Sequence, residues 1–307
     1  MARVLVTGAN GFAGAAICRH LQTLGWTVRG SVRRAEAAVP QGVERVVSGA
    51  LDGATDWDAA LDGVEAVVHC AARVHVLHET AADPLAAFRS VNVAASRRLA
   101  EQAITAGVRR FVFLSSIGAA VAAAEPARAT AYQQSKQEAE TALSEAVAKS
   151  AMMLVMLRPP LICGPGAPGN FARLARLIKA GRPLPLASLT NRRSLLFVGN
   201  LATAVAAALH CENPPAGPLA LCDGEDLSTA ELARRIGVAC GRPAWLLPAP
   251  PALLRFGGRL MGKSAAVEAL TGDLTVDNRA IHDALGWSPA YTVDQGLAAC
   301  FAPGTVS

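Results

Sequence analysis

The run Val4-Leu5-Val6-Thr7-Gly8-Ala9-Asn10-Gly11-Phe12-Ala13-Gly14 constrains this chain more than any other, because few folds lead a strand through three evenly spaced glycines into a helix. Each glycine has its own task in that setting. Gly8 permits a tight turn, Gly11 lets backbone N–H groups approach a pyrophosphate at the helix N-terminus, and Gly14 lets helix and strand pack closely. Asn10 and Phe12 belong to the same turn. The plain alternative is a strand-to-helix turn in which glycine serves geometry only. The β-branched run before the turn and the helical pattern after it favour a dinucleotide site.

The rest of the first half extends that reading. Short β-branched runs near 3–7, 27–32, 43–48, 65–69, 109–114 and 153–158 alternate with longer helical periods, the pattern of a parallel sheet covered on both faces. The expected fold is therefore α/β, a Rossmann doubly wound parallel sheet with a smaller, mostly helical C-terminal substrate lobe. Helices are expected over 84–106, with Pro84 in the first turn, and over 132–149. Their apolar residues either pack on the sheet or form a homodimer contact. After Arg158-Pro159-Pro160 the chain becomes rich in Gly, Pro and Asn. Residues 1–160 are read as the dinucleotide-binding domain with 194–222 rejoining it, 161–193 and 223–302 as the substrate lobe, and 303–307 as a tail.

The end of the second strand bears on which dinucleotide is bound. An acid there would hold a ribose 2′-hydroxyl, whereas arginine accommodates a 2′-phosphate. Thr27 to Val32 ends without an acid and is followed by Arg33-Arg34. NADP(H) is thus favoured with NAD(H) as the alternative, unless both arginines are merely a solvated strand end.

Composition excludes several other classes. The net charge of +5 is spread in short pairs without a long basic run, so a nucleic-acid partner is not expected. Seven cysteines without a Cys-x-x-Cys spacing argue against a disulfide framework and a metal site and point to a reduced, cytoplasmic setting. Neither a secretory leader, a membrane span nor a membrane partner is expected.

Tyr132-Gln133-Gln134-Ser135-Lys136 places a phenol and an ammonium one helical turn apart. A tyrosine can act as acid and base for an alcohol and ketone pair, and a nearby ammonium lowers the cost of its phenolate. Ser116 follows the strand Phe111 to Leu114, at the carboxyl edge where open α/β sheets bind ligands. Its hydroxyl can hold the substrate oxygen. Alone, Tyr-x-x-x-Lys is a common surface pair. Together with the glycine turn, the three residues form a set for moving hydride.

With these pieces, and with His69-Cys70-Ala71-Ala72, Asn92-Val93, Leu114-Ser115-Ser116, Leu157-Arg158-Pro159-Pro160 and Cys163-Gly164-Pro165-Gly166, the chain resembles the extended short-chain dehydrogenase/reductase family of nucleotide-sugar epimerases and dehydratases. The nearest likeness is to the UDP-glucose 4-epimerase-like subgroup, which includes reductases of UDP-4-keto-6-deoxy-N-acetylhexosamines. The resemblance implies a seven-stranded Rossmann sheet, nicotinamide contacts from Ala71, Ala72, Pro159 and Leu161, and a ribose contact from Lys136. Asn170 and Arg193 would face a substrate diphosphate; helix capping and a surface arginine pair are the plain alternatives. His75 and His78 either reach the sugar or cover the cleft.

Two departures from the family pattern matter. Gly49-Ala50-Leu51 stands where Gly-Asp-Leu is frequent, leaving a backbone contact at Leu51. Ile117-Gly118 stands where dehydratases carry Asp-Glu, which disfavours dehydration. The leading expectation is NADPH-dependent reduction of a nucleotide-linked 4-keto sugar. NAD-dependent 4-epimerisation is the alternative, and a non-catalytic nucleotide sensor is a third reading.

Overall fold

The β-branched runs form parallel strands in a computed structural model that describes residues 2–74, 82–260, 262 and 264–302. His75, His78 and the 303–307 tail lie outside the described residues. The strands are β1 (Arg3–Thr7), β2 (Thr27–Val32), β3 (Glu44–Val47), β4 (Ala66–His69), β5 (Arg110–Leu114), β6 (Met153–Arg158), β7 (Leu161–Cys163), β8 (Arg193–Phe197), β9 (Leu219–Ala220) and β10 (Asp226–Leu227). Seven of them form one sheet in the order β3-β2-β1-β4-β5-β6-β9. Its pairs are all parallel. The chain winds outward from β1 to β3 and then returns past β1 to β4, so the winding reverses between β1 and β4. Ligands of open α/β sheets bind beyond the strand ends at such a reversal.

Strands buried on both faces need apolar cover. One face rests on a core in which Leu5, Trp57, Val67, Leu99, Phe111, Phe113 and Leu143 are fully buried. Each such side chain contributes about 1.5–3 kcal/mol by leaving water. Leu99 comes from the segment expected as one helix over 84–106, and Leu143 from helix Ala131–Val147. The latter contains no Gly or Pro. It opens on a capping box in which Thr130 and Gln133 satisfy each other's backbone N–H groups.

The 84–106 segment departs from a simple helix. Asp83 caps it, Pro84 starts it, and helix Pro84–Arg89 gives way to a wider π turn at Ser90–Ala94 before helix Ala95–Thr105. Phe88 and Leu99 turn into the chain's own fold. The outer side carries the Arg89–Glu138, Arg97–Glu101 and Arg97–Glu145 ion pairs.

The chain divides into two compact units. The first holds Met1–Pro159, Leu201–Leu221 and Asn278–Ser288, and the second holds Pro160–Asn200, Cys222–Asp277 and the segment from Pro289 onward. Two boundaries differ from the sequence expectation. Of 194–222, β9 joins the large sheet beside β6, but β8 lies in a second sheet of order β10-β8-β7. Leu195, Leu196 and Phe197 pair there with Leu161, Ile162 and Cys163, so the second unit is not purely helical. Conversely, Asn278–Ser288 belongs to the first unit, where Ile281 is fully buried and Trp287 Nε1 donates to Thr203 at 3.0 Å.

Candidate active site

At the end of β1 the glycines take the conformations that the turn requires. Gly8 has φ +67°, in the left-handed region that favours glycine. A Cβ on Gly14 would stand 2.2 Å from the Gly8 carbonyl oxygen, so helix Phe12–Thr23 can approach the strand only with glycine there. That helix has no side-chain cap and no acid in its first turn. Its leading N–H groups are therefore not taken by a capping side chain, and its own first turn sets no carboxylate at the positive end, which fits a diphosphate. Asn10 and Gly11 are exposed in the same turn, and Phe12 is half-buried.

Strand order sets the other candidates along this edge. Thr7 is in register with Ser31 on one side and His69 on the other, and His69 is in register with Phe113. Arg33 and Arg34 follow β2 as an exposed bend, while Ala71 and Ala72 follow β4. Ser116 follows β5 and Pro159 follows β6. Leu51 is buried beyond β3, its side chain in the core. Leu161, Asn170 and Arg193 belong to the second unit. Asn170 lies inside helix Gly169–Lys179, whose N-cap is Pro168, so it is exposed and does not cap that helix. Arg193 donates to Gly272 O at 2.8 Å, and partial burial lowers its pKa against the raising effect of Asp273. It is not one of a pair of solvated arginines: only Arg192 is exposed, and it pairs with Asp226.

The serine, tyrosine and lysine come together. Ser116 caps helix Ile117–Ala124, accepting from Gly118 N at 3.1 Å. Its own proton remains available, and its hydroxyl faces the Tyr132 phenol closely enough to act on its pKa. Burial raises the phenol's pKa, and Ser116 opposes that rise. Lys136 is 2% exposed, with Nζ donating to Leu114 O at 2.7 Å and lying 4.4 Å from the Phe113 ring centroid. Burial lowers it to about 8, while Cys70 and Glu140 raise it. Lys136 is pinned to the end of β5, one turn from the phenol on the same helix.

Two buried networks that sequence reasoning missed support this set. In the first, the Ser96 hydroxyl donates to Asn92 O at 2.7 Å and so accepts from His69 Nε2–H at 2.8 Å. His69 Nδ1 then accepts from the Thr7 hydroxyl at 2.7 Å, and Thr7 Oγ1 accepts from Cys70 N and Ala71 N at 3.1 and 3.0 Å. One neutral tautomer satisfies every member, and burial, reinforced by Lys136, lowers His69 to about 3. The Asn92 side chain accepts from Arg73 N, donates to Arg73 O and donates to Ser135 Oγ, which donates to Tyr132 O. The strand ends are thus tied to the helix that bears the phenol.

The second network is centred on Glu140, one turn beyond Lys136. Ser115 Oγ donates to Glu140 at 2.5 Å, and Arg158 pairs with it through Nε at 2.9 Å and Nη2 at 2.5 Å. Glu140 sits four residues after Lys136, and Arg158 directly precedes Pro159; those spacings were the available signal. Neither His69 nor Cys70 offers a reactive group, since burial holds the imidazole neutral and pushes the thiol up to about 12. No cluster of metal-ligating side chains occurs among the described residues.

Comparison with known proteins bears on this geometry. The model of the NAD dependent epimerase/dehydratase family matches residues 4–218. The chain is 37% identical over 306 residues to a UDP-glucose 4-epimerase of Vibrio cholerae, covering 96% of this chain and 93% of that one. It is 33% identical to a ceramide reductase of Caulobacter vibrioides, covering 72% of this chain and 64% of the relative. A UDP-N-acetylglucosamine 4-epimerase structure from Bacillus cereus has a TM-score of 0.78 at 20% identity, covering 98% of both chains. MoeE5 in complex with UDP-glucuronic acid and NAD has a TM-score of 0.75 at 21% identity, covering 97% of both. These two structures establish likeness of fold.

Proposed function

The chain belongs to the NAD-dependent epimerase/dehydratase family of extended short-chain dehydrogenases/reductases, and from that premise we propose that it exchanges hydride at C4 of a nucleotide-linked sugar, with 4-epimerisation as the net reaction. The observation that carries the chemistry is the buried Tyr132 phenol with the Ser116 hydroxyl beside it, opposing the rise in its pKa, and buried Lys136 one turn away on the same helix. The 37% identical epimerase supports the choice of net reaction.

The proposed roles follow the chemistry of each residue. Gly8, Asn10, Gly11, Phe12 and Gly14 seat the dinucleotide diphosphate on the uncapped helix, and Leu51 borders its adenine. Ala71, Ala72, Pro159 and Leu161 border the nicotinamide, and Lys136 holds the adjoining ribose. When bound, the nicotinamide supplies a hydride acceptor and donor. Tyr132 takes the proton of the C4 hydroxyl as hydride leaves and returns it after the ketone has presented its other face. Ser116 orients the oxygen, and Asn170 and Arg193 donate to the substrate diphosphate. Ile117 and Gly118 supply no carboxylate for dehydration.

One observation favours a second reading, net reduction of a 4-keto sugar by NADPH. β2 ends on Val32 without a carboxylate, and exposed Arg33 and Arg34 follow, which suits a 2′-phosphate. The free thiols favour a reducing, cytoplasmic setting. A homodimer through 84–106 and 132–149 would join their charged outer sides.

The test incubates purified protein with a panel of UDP-sugars and their 4-keto forms, with NAD⁺, NADH or NADPH. Interconversion of C4 epimers without net change in reduced nicotinamide supports epimerisation; net NADPH loss supports reduction. In the second case, Arg33→Ala/Arg34→Ala should raise the KM for NADPH by about tenfold or more and leave that for NADH unchanged. Tyr132→Phe should abolish turnover and retain cofactor affinity, and wild-type turnover in that variant would end the proposal.

A further inference from the structure

From Leu232 to Val267 the chain contains no aspartate or glutamate, while Arg234, Arg235, Arg242, Arg255, Arg259 and Lys263 all fall there. Among the described residues, the same stretch holds most of the large apolar side chains that solvent reaches, including Val238, Trp245, Leu247, Leu253, Phe256 and Leu260. Single exposed leucines are ordinary on a soluble surface. Such a concentration in one stretch marks an interaction site.

Its centre is helix Pro251–Leu260 in the second unit, which packs chiefly on helix Ser264–Thr271. Pro251, Leu254, Gly257 and Gly258 form its inner side. On the outer side Leu253, Phe256 and Leu260 are 63%, 61% and 74% exposed. Spaced at i, i+3 and i+7, they make one stripe along the helix. Arg255 and Arg259, one turn apart and both exposed, border that stripe. Arg234 and Arg235 pair with Glu231, Glu225 and Asp294, whereas Arg255 and Arg259 form no ion pair among the described residues.

An apolar stripe edged by unpaired guanidinium groups calls for an occupant that is apolar inside and anionic at its rim. An anionic bilayer surface has that profile: leucine and phenylalanine enter the acyl boundary, and the arginines reach back to lipid phosphates. A second copy of the same face would set arginine against arginine in a two-fold contact. We propose that helix Pro251–Leu260 is a surface anchor that seats this protein on anionic phospholipid, lying in the plane of the interface. No helix among the described residues is long and apolar enough to cross a membrane, and a surface-lying helix requires none. The anchor departs from the expectation of no membrane partner and needs no spanning segment.

Flotation of the full chain with vesicles tests the anchor. Vesicles of phosphatidylcholine alone are compared with vesicles containing about one-third phosphatidylglycerol, at low and high salt. Wild type should float with the anionic vesicles only and be released by high salt. Arg255→Gln/Arg259→Gln should weaken partitioning by about thirtyfold. Leu253→Ser/Phe256→Ser/Leu260→Ser should abolish flotation while far-UV circular dichroism stays unchanged. Failure of wild type to float overturns the anchor, as does equal flotation of wild type and both variants. Light scattering covers the remaining case: a wild-type oligomer that does not float and becomes monomeric in the serine variant would make the stripe a protein contact and overturn the anchor.

Discussion

Lys136→Met removes a charge that the fold holds against its desolvation, and the consequence is a defined pH dependence. Burial lowers Lys136 from 10.5 to about 8, against smaller raising effects of Cys70 and Glu140. At neutral pH the ammonium is charged in both the folded and the unfolded chain. The folded state then carries the full penalty, about 3 kcal/mol. Above about 8 the folded chain sheds this proton, while the unfolded chain keeps it up to 10.5. The unfolded state binds more protons in that window, so stability rises with pH. By linkage, about 2 kcal/mol of the gain falls between pH of about 7 and about 9.5. Methionine preserves most of the stem and cannot titrate. Loss of the donor to Leu114 O costs about 1–3 kcal/mol at every pH alike, so it cancels from the slope. In this window His69 and Cys70 titrate only in the unfolded chain, because the fold holds one at about 3 and the other at about 12; that titration is common to both proteins and cancels from their difference. Urea unfolding of cofactor-free wild type and variant, followed by circular dichroism across this range, reads the effect. The difference between the two should move by about 2 kcal/mol in favour of wild type as pH rises. Parallel curves would refute the reasoning, since a solvated ammonium would titrate alike in both states.

Glu140→Gln leaves the Arg158 guanidinium without the carboxylate that pairs with it. Breaking a buried pair from one side should cost about 3 kcal/mol, read as a lower urea midpoint at neutral pH. His69, held at about 3 against an ordinary 6.5, contributes stability that is full above 6.5 and is lost as pH falls toward 3. His69→Gln should therefore lose about 2 kcal/mol less than wild type between pH of about 8 and about 5, measured by the same unfolding assay.

The parts legible in the sequence were those encoded by neighbours along the chain. The strands from β1 to β6 lie within a residue of the β-branched runs, because a doubly covered sheet demands continuous apolar runs. The glycine turn was legible for the same reason: Gly8 and Gly14 answer to atoms within a few residues or to the adjoining strand. Ser116, Tyr132 and Lys136 were found as residues. The direction of Lys136 toward Leu114 O was not, because i+4 spacing places two side chains on one face without saying what else that face meets. β8 likewise was expected to rejoin the first domain with the rest of 194–222, and it lies in the second sheet because a strand pattern does not name its partner. Its parallel partner β7 is a three-residue strand, too short to announce itself beforehand.

Asn92 marks the limit of local reading. A polar residue inside an apolar helical stripe has no evident reason for its place until Arg73, 19 residues away, and Ser135, 43 residues away, are brought to its side chain. The π turn at Ser90–Ala94 holds Asn92, and no local propensity separates such a turn from an ordinary helix. The helix at Pro251–Leu260 presents the converse case. Periodicity places Leu253, Phe256 and Leu260 on one face, but whether that face meets a core or solvent is decided by packing elsewhere. The absence of acids from Leu232 to Val267 was visible throughout. It acquires meaning only once the stripe is seen to point outward, because charge without apolar exposure describes an ordinary solvated surface, and the two together describe a surface that seeks a lipid boundary.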